Sequence, residues 1–118
     1  MSKICIVSSH SPYSSTSVRD GIESLLVAAS FDMDASLLVL GDGILQLLNK
    51  QAPESLPQKN TGSLLQALEI YGVESIYVCE QDLVDRGLTQ DDLILTPTII
   101  SRSQVPSLLQ EQDSILNF

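Results

Sequence analysis

Two runs of strand length, KICIVSS at residues 3–9 and ASLLVLGDG at 35–43, place apolar side chains at consecutive rather than alternate positions. A strand with one wet face alternates, so neither run is the outer sheet of an antiparallel sandwich; both read as strands buried on two faces, the pattern of central parallel strands. Between them Val18, Ile22, Leu25 and Ala29 recur at spacings of four, three and four, the apolar stripe of an amphipathic helix. The preceding SSTS offers N-cap residues, so a helix is expected to run from there to about Phe31, with Asp32 and Asp34 marking the turn into the second strand. Parallel neighbours cannot be joined by a tight hairpin, and a crossover helix is what this chain supplies.

The same alternation continues. The second run breaks at Gly41 and Gly43 into a short helix-like GILQLL. NKQAPESLPQKNTG, residues 49–62, is the longest loop, with two prolines and few large apolar residues. Leu64, Leu65, Leu68 and Tyr71 form another helical stripe stopped at Gly72, and VESIYVC gives a third strand ending on Cys79. EQDLVDRGL is one or two helical turns closed by Gly87. DDLILTPTIIS is extended and broken at Pro97, QVPSLLQEQ is a helix, and DSILNF a final strand. The expected fold is α/β, a single domain over residues 1–118: a three-layer sandwich around a five-stranded, mostly parallel sheet in the flavodoxin-like order 2-1-3-4-5. That order puts a crevice beyond the carboxyl ends of strands one and three, bringing the SSHSPYSS loop to Cys79.

Charge and cysteine usage then narrow the function. Fifteen acidic residues against six basic ones give a net charge of −9, which repels phosphate backbones and argues against direct nucleic-acid binding. No apolar run approaches the roughly 20 residues that cross a bilayer, and MSKICIVSS is too short and strand-like for a signal peptide, so a cytoplasmic location without membrane contact is expected. Cys5 and Cys79 are then reduced, and two isolated cysteines provide no metal-ligand spacing. The serine-rich loop lacks both GxGxxG and GxxxxGK[ST], so no nucleotide or other cofactor is expected.

Cys79 is the candidate reactive group. A thiol between a strand end and a helix start faces unpaired amides and the positive helix end, which favour thiolate; adjacent Glu80 and nearby Asp82 oppose it. His10, the only histidine, lies in the loop expected to approach Cys79, where a Cys–His pair would activate the thiol. Cys5, between Ile4 and Ile6, belongs to the core. Arg19 and Asp20 at the first helix start serve as charge complement or interface, and Asp20 near the positive helix end needs no functional explanation. A phosphoacceptor domain of the same topology has Asp42 available but no lysine after Lys59.

RDGIESLLVAASF, GDGILQLL, YGVESIYVCEQDLVDRGL and the closing QDSILNF resemble, in order and spacing along nearly the whole chain, the TusC/DsrF family of sulfur-relay subunits. The resemblance implies a DsrE/F-like fold and a place in a heterohexamer, a dimer of heterotrimers with TusB-like and TusD-like subunits, that passes persulfide sulfur to a TusE-like acceptor. A TusC-like member serves 2-thiolation of the tRNA wobble uridine; a DsrF-like member serves dissimilatory sulfur oxidation. The family's persulfide-carrying cysteine belongs to the TusD/DsrE-type partner, at the strand-three end that Cys79 matches. Glu80 and Asp82 depart from that partner's pattern, so the resemblance implies an accessory subunit in which Cys79 is at most a sulfur acceptor. The other class compatible with the residues is a flavodoxin-like small-ligand-binding protein.

Overall fold

The computed structural model describes residues 2–10, 16–48, 67–68, 70–94 and 97–118. The expected loop at 49–62, the start of the helical stripe at Leu64 and Leu65, and most of the SSHSPYSS loop lie outside them. The elements are β1 (Lys3–Ser8), α1 (Ser17–Ser30), β2 (Asp34–Val39), a 3-10 segment (Gly41–Leu47), β3 (Ser75–Cys79), α2 (Glu80–Asp85), a 3-10 turn (Gln90–Asp92), β4 (Thr98–Ile100), a second 3-10 turn (Arg102–Gln104), α3 (Val105–Gln110) and β5 (Ser114–Asn117). All four strand pairings are parallel. In β1 and β2 every residue after the first is buried, as their unbroken apolar runs require.

The order is β4-β3-β2-β1-β5, not 2-1-3-4-5. Strand three does not return to the free edge of β1 but pairs with β2, Val39 opposite Val78. The chain keeps stepping the same way to β4, and β5 takes the vacant edge of β1. Backbone and side-chain bonds tie β5 there at both ends: Lys3 N–H donates to Asp113 Oδ2 at 2.7 Å, and Phe118 N–H to Val7 O at 2.8 Å.

Right-handed crossovers that step one way put their helices on one face, and the reversed step from β4 to β5 puts α3 on the other. The packing follows. Val18, Ile22, Leu25 and Ala28 of α1 join Ile4, Ile6, Leu37, Val39, Ile76 and Val78 in one cluster; Val105, Leu108 and Leu109 of α3 cover Cys5, Val7, Leu38 and Ile100 in the other. The helical stripe is wider than expected: Ala28 is fully buried in it, and Ala29, half-buried, packs against the same cluster. The expected three layers are present, but the outer strand is thinly dressed: β5 is exposed along its length. Among the described residues no helix is long and apolar enough to cross a membrane.

Candidate functional site

Three strand ends converge at Cys79. Cys79 closes β3 opposite Ile100 of β4, and its neighbour Val78 lies opposite Val39 of β2. The chain therefore leaves the sheet at three adjacent places: through Leu40 and Gly41 after β2, through Glu80 and Asp82 after β3, and through Ser101 and Arg102 after β4. Cys79, at φ −86° and ψ 126°, is extended and serves as the residue before the first turn of α2, as its place at a strand-to-helix junction predicts. Cys79 is buried, 1% exposed, and lines a cavity of about 390 Å³ together with Leu40, Gly41, Asp82, Arg102, Val105 and Pro106.

Asp82 organises the walls. Its Oδ2 accepts the Gly41 N–H at 2.8 Å, while Oδ1 lies 3.6 Å from Arg102 Nη2 and 3.8 Å from Arg86 Nη1. Arg86 reaches further: Nη1 donates to the Asp82 carbonyl at 3.1 Å and Nη2 to Asp42 Oδ1 at 2.8 Å. Two carboxylates thus meet two guanidiniums, a formally neutral set. This changes the expected electrostatics of the thiol. Asp82 does not stand as an uncompensated negative charge beside Cys79, because its carboxylate is committed to a backbone amide and two cations; Glu80 is exposed to solvent.

His10 is exposed just past β1 and is not among the described residues lining the Cys79 cavity. The crevice between strands one and three, on which its approach was expected, does not form, because β2 lies between them. What fills the place is the 3-10 segment after β2. Gln46, fully buried, donates to Ser8 Oγ at 2.9 Å and to Gly43 O at 2.8 Å, and Leu40 N–H donates to Ser8 O at 3.0 Å, so this segment is clamped onto the end of β1. Cys5 is buried in the α3-side cluster, and desolvation pushes its thiol pKa up, against smaller opposing hydrogen bonds from Ser36 and the Leu38 backbone. Arg19 pairs with Glu23 one turn on at 2.9 Å, and Asp20 accepts from Thr16 Oγ1 at 3.4 Å, local helix chemistry as expected. Among the described residues no group of three His, Cys, Asp or Glu side chains is placed to hold a metal.

Sequence reasoning missed Arg86 and Arg102. Arg86 left a signal, standing four residues after Asp82 on a helix. Arg102 left none, since only the β3–β4 register brings it to Asp82.

The DsrE/DsrF-like family matches residues 2–118. The chain belongs to that family. Among curated DsrE/DsrF-like relatives, the protein TusC homolog of Vibrio parahaemolyticus serotype O3:K6 is 32% identical over 118 residues, covering all of both chains. The TusC homolog of Pseudomonas aeruginosa is 34% identical over 113 residues, 96% of this chain and 95% of that one, and protein TusC of Buchnera aphidicola subsp. Schizaphis graminum is 33% identical over 119 residues, with full coverage of both. The crystal structure of the ychN protein from E. coli has the same fold, with a TM-score of 0.86 at 23% identity and complete coverage of both chains.

Proposed function

We propose that this chain is the TusC-type subunit of a sulfur-relay complex, a dimer of heterotrimers with TusB-like and TusD-like partners, that passes persulfide sulfur toward 2-thiolation of the tRNA wobble uridine. The observation that carries the reading is the end-to-end similarity to TusC homologs, together with Cys79 at the carboxyl end of β3. In that complex the TusD-like partner's cysteine performs the main transfer, and Cys79 is an accessory acceptor within a largely structural subunit. The buried position of Cys79 supports that division, because a residue 1% exposed cannot meet a carrier without local movement. The location is cytoplasmic.

The apolar surface fits a subunit that assembles. Phe31 is 75% exposed, Val27 56% and Leu116 42%, and with Ile4, Ala28 and Met33 they line a groove of about 520 Å³ between α1 and β5. Exposed apolar side chains clustered beside Asp20, Glu23 and Ser24 in this way mark a protein interface, and here the occupant is a related subunit. The test is co-expression with the TusB-like and TusD-like subunits, followed by size exclusion and by loading with labelled persulfide sulfur. A stable complex is expected, and Cys79→Ser should preserve both assembly and most sulfur transfer. A monomer indifferent to both partners would overturn the assembly reading; abolished transfer in an intact Cys79→Ser complex would make Cys79 an obligatory relay site.

A further inference from the structure

The cavity that Cys79 lines is walled by side chains that differ in how firmly they are held. Arg86 is 25% exposed and fixed by two hydrogen bonds, to Asp42 Oδ1 and to the Asp82 carbonyl, as well as by its ion pair with the Asp82 carboxylate. Arg102 is 67% exposed and meets Asp82 at 3.6 Å, beyond hydrogen-bond range. The backbone beneath Arg102 is nonetheless fixed. Ser101 and Gln104 form a reciprocal cap across the turn, with Ser101 N–H donating to Gln104 Oε1 at 2.8 Å. Here a long, exposed, weakly tethered side chain stands on a rigid turn in the wall of a cavity that a cysteine also lines.

We propose that the Arg102 side chain is a movable lid over the Cys79 thiol, held closed by its ion pair with Asp82 and opened when that pair breaks. The register dictates the placement: Arg102 lies two residues past Ile100 and Asp82 three past Cys79, and Cys79 and Ile100 are paired, so the two side chains close across the gap where β3 and β4 end. Opening needs only rotamer changes in one arginine, while Gly41 and Arg86 keep Asp82 in place as the point to which the lid returns. Access to Cys79 is thereby governed by a charge pair whose Asp82 side is buried and whose Arg102 side is exposed, so salt or a competing anion acts on it through the arginine. The use of that access in sulfur transfer rests on the relay reading above; the access itself does not.

The experiment measures alkylation of the full chain by iodoacetamide, a small neutral probe, with each cysteine quantified by peptide mass spectrometry. Rates are followed to their high-pH plateau, where the thiol is fully ionised, so that the comparison reads access rather than thiolate fraction. An ion pair stretched to 3.6 Å with its arginine in solvent predicts that Arg102→Ala raises the Cys79 plateau rate about two- to fivefold. Arg102→Lys, which keeps a cation within reach of Asp82, should stay near wild type, and Cys5 should be unchanged in both. Added salt should accelerate Cys79 in wild type and not in Arg102→Ala. An unchanged Cys79 rate in Arg102→Ala, an equal rise at Cys5 and Cys79, or Arg102→Lys as fast as Arg102→Ala would each overturn the lid. Persulfide exchange in the assembled complex is scored separately: if alkylation follows the lid and Cys79 takes up no sulfur, the relay role of Cys79 fails and the lid stands.

Discussion

Replacing a glycine in a helical segment by alanine usually stabilises a protein, by about 0.4–1 kcal/mol, because the unfolded chain loses freedom. Gly43→Ala should do the reverse. A Cβ at Gly43 would overlap the Ser8 carbonyl oxygen and lie 2.9 Å from Ser8 C and 3.1 Å from Ser9 Cα. All three are backbone atoms at the end of a central strand, so no side chain can swing aside. Absorbing the methyl within the packed segment costs about 1–3 kcal/mol. Lifting the 3-10 segment away instead stretches the Gln46–Ser8 and Leu40–Ser8 bonds, of 2.9 and 3.0 Å, at about 1 kcal/mol each. Either route leads to a loss of roughly 1–3 kcal/mol. Gly87→Ala is the control: it has φ +66° and nothing within 4 Å of where its methyl would stand, so only left-handed strain of about 1 kcal/mol is expected. Urea unfolding followed by far-UV circular dichroism reads both at unchanged m. A Gly43→Ala protein as stable as wild type, or no worse than Gly87→Ala, would refute the argument that β1 and this segment are in closest contact there.

Three further outcomes are expected. Burial raises the Cys5 pKa above its ordinary 9.0, so the unfolded thiol ionises first as pH rises, and stability present below pH 9 should fall between that value and the folded pKa by at most about 1.4 kcal/mol per pH unit; urea midpoints from pH 8 to 10.5 should decline more steeply for wild type than for Cys5→Ala. Asp82→Ala strips the acceptor from Gly41 N–H and a carboxylate from Arg86 and Arg102, and should cost about 1–3 kcal/mol in thermal or urea unfolding, whereas Asp82→Asn, which keeps an acceptor oxygen, should cost less. Phe31→Glu places a charge on the apolar groove while the folded monomer loses nothing, since the ring is 75% exposed; circular dichroism melting should be unchanged while size exclusion of the co-expressed complex shows dissociation.

The elements were legible where hydrophobic pattern alone decides them. β1 and β2 announce burial on both faces because Ile4 to Val7 and Leu37 to Leu40 leave no polar alternate, and the four-three spacing of Val18, Ile22 and Leu25 fixes the buried face of α1. The place of Cys79 at the end of β3 was legible too, because a short apolar run followed by EQDLVDR has only one sensible break. Strand order was not legible. Both 2-1-3-4-5 and 4-3-2-1-5 use the same elements and obey right-handed crossovers, and periodicity does not say which side of a strand its successor takes. With the order went the site's neighbours. His10 was expected at Cys79 by an order that puts β1 beside β3, and the cavity is instead walled by Gly41 and Arg102, whose approach depends on the Val39–Val78 and Cys79–Ile100 registers. The same contacts reversed the reading of Asp82, from a charge that opposes the thiol to a neutralised anchor.

The pairing of β1 with β5 joins the first strand of the sheet to the last. During synthesis β1 leaves the ribosome more than a hundred residues ahead of its partner, so at about 5–20 residues per second its outer edge waits roughly 5–20 s for Ser114–Asn117 to exist. Four strands and α1 can assemble in that interval, but the assembly carries an open row of amides and carbonyls along Ile4 to Val7, the kind of edge that recruits a second chain. The four residues of β5, though exposed along their length and poor in packing, therefore act as a seal whose timing governs how much newborn chain escapes misassembly, and weakening that strand should lower soluble yield in cells well before it lowers the measured stability of the finished fold.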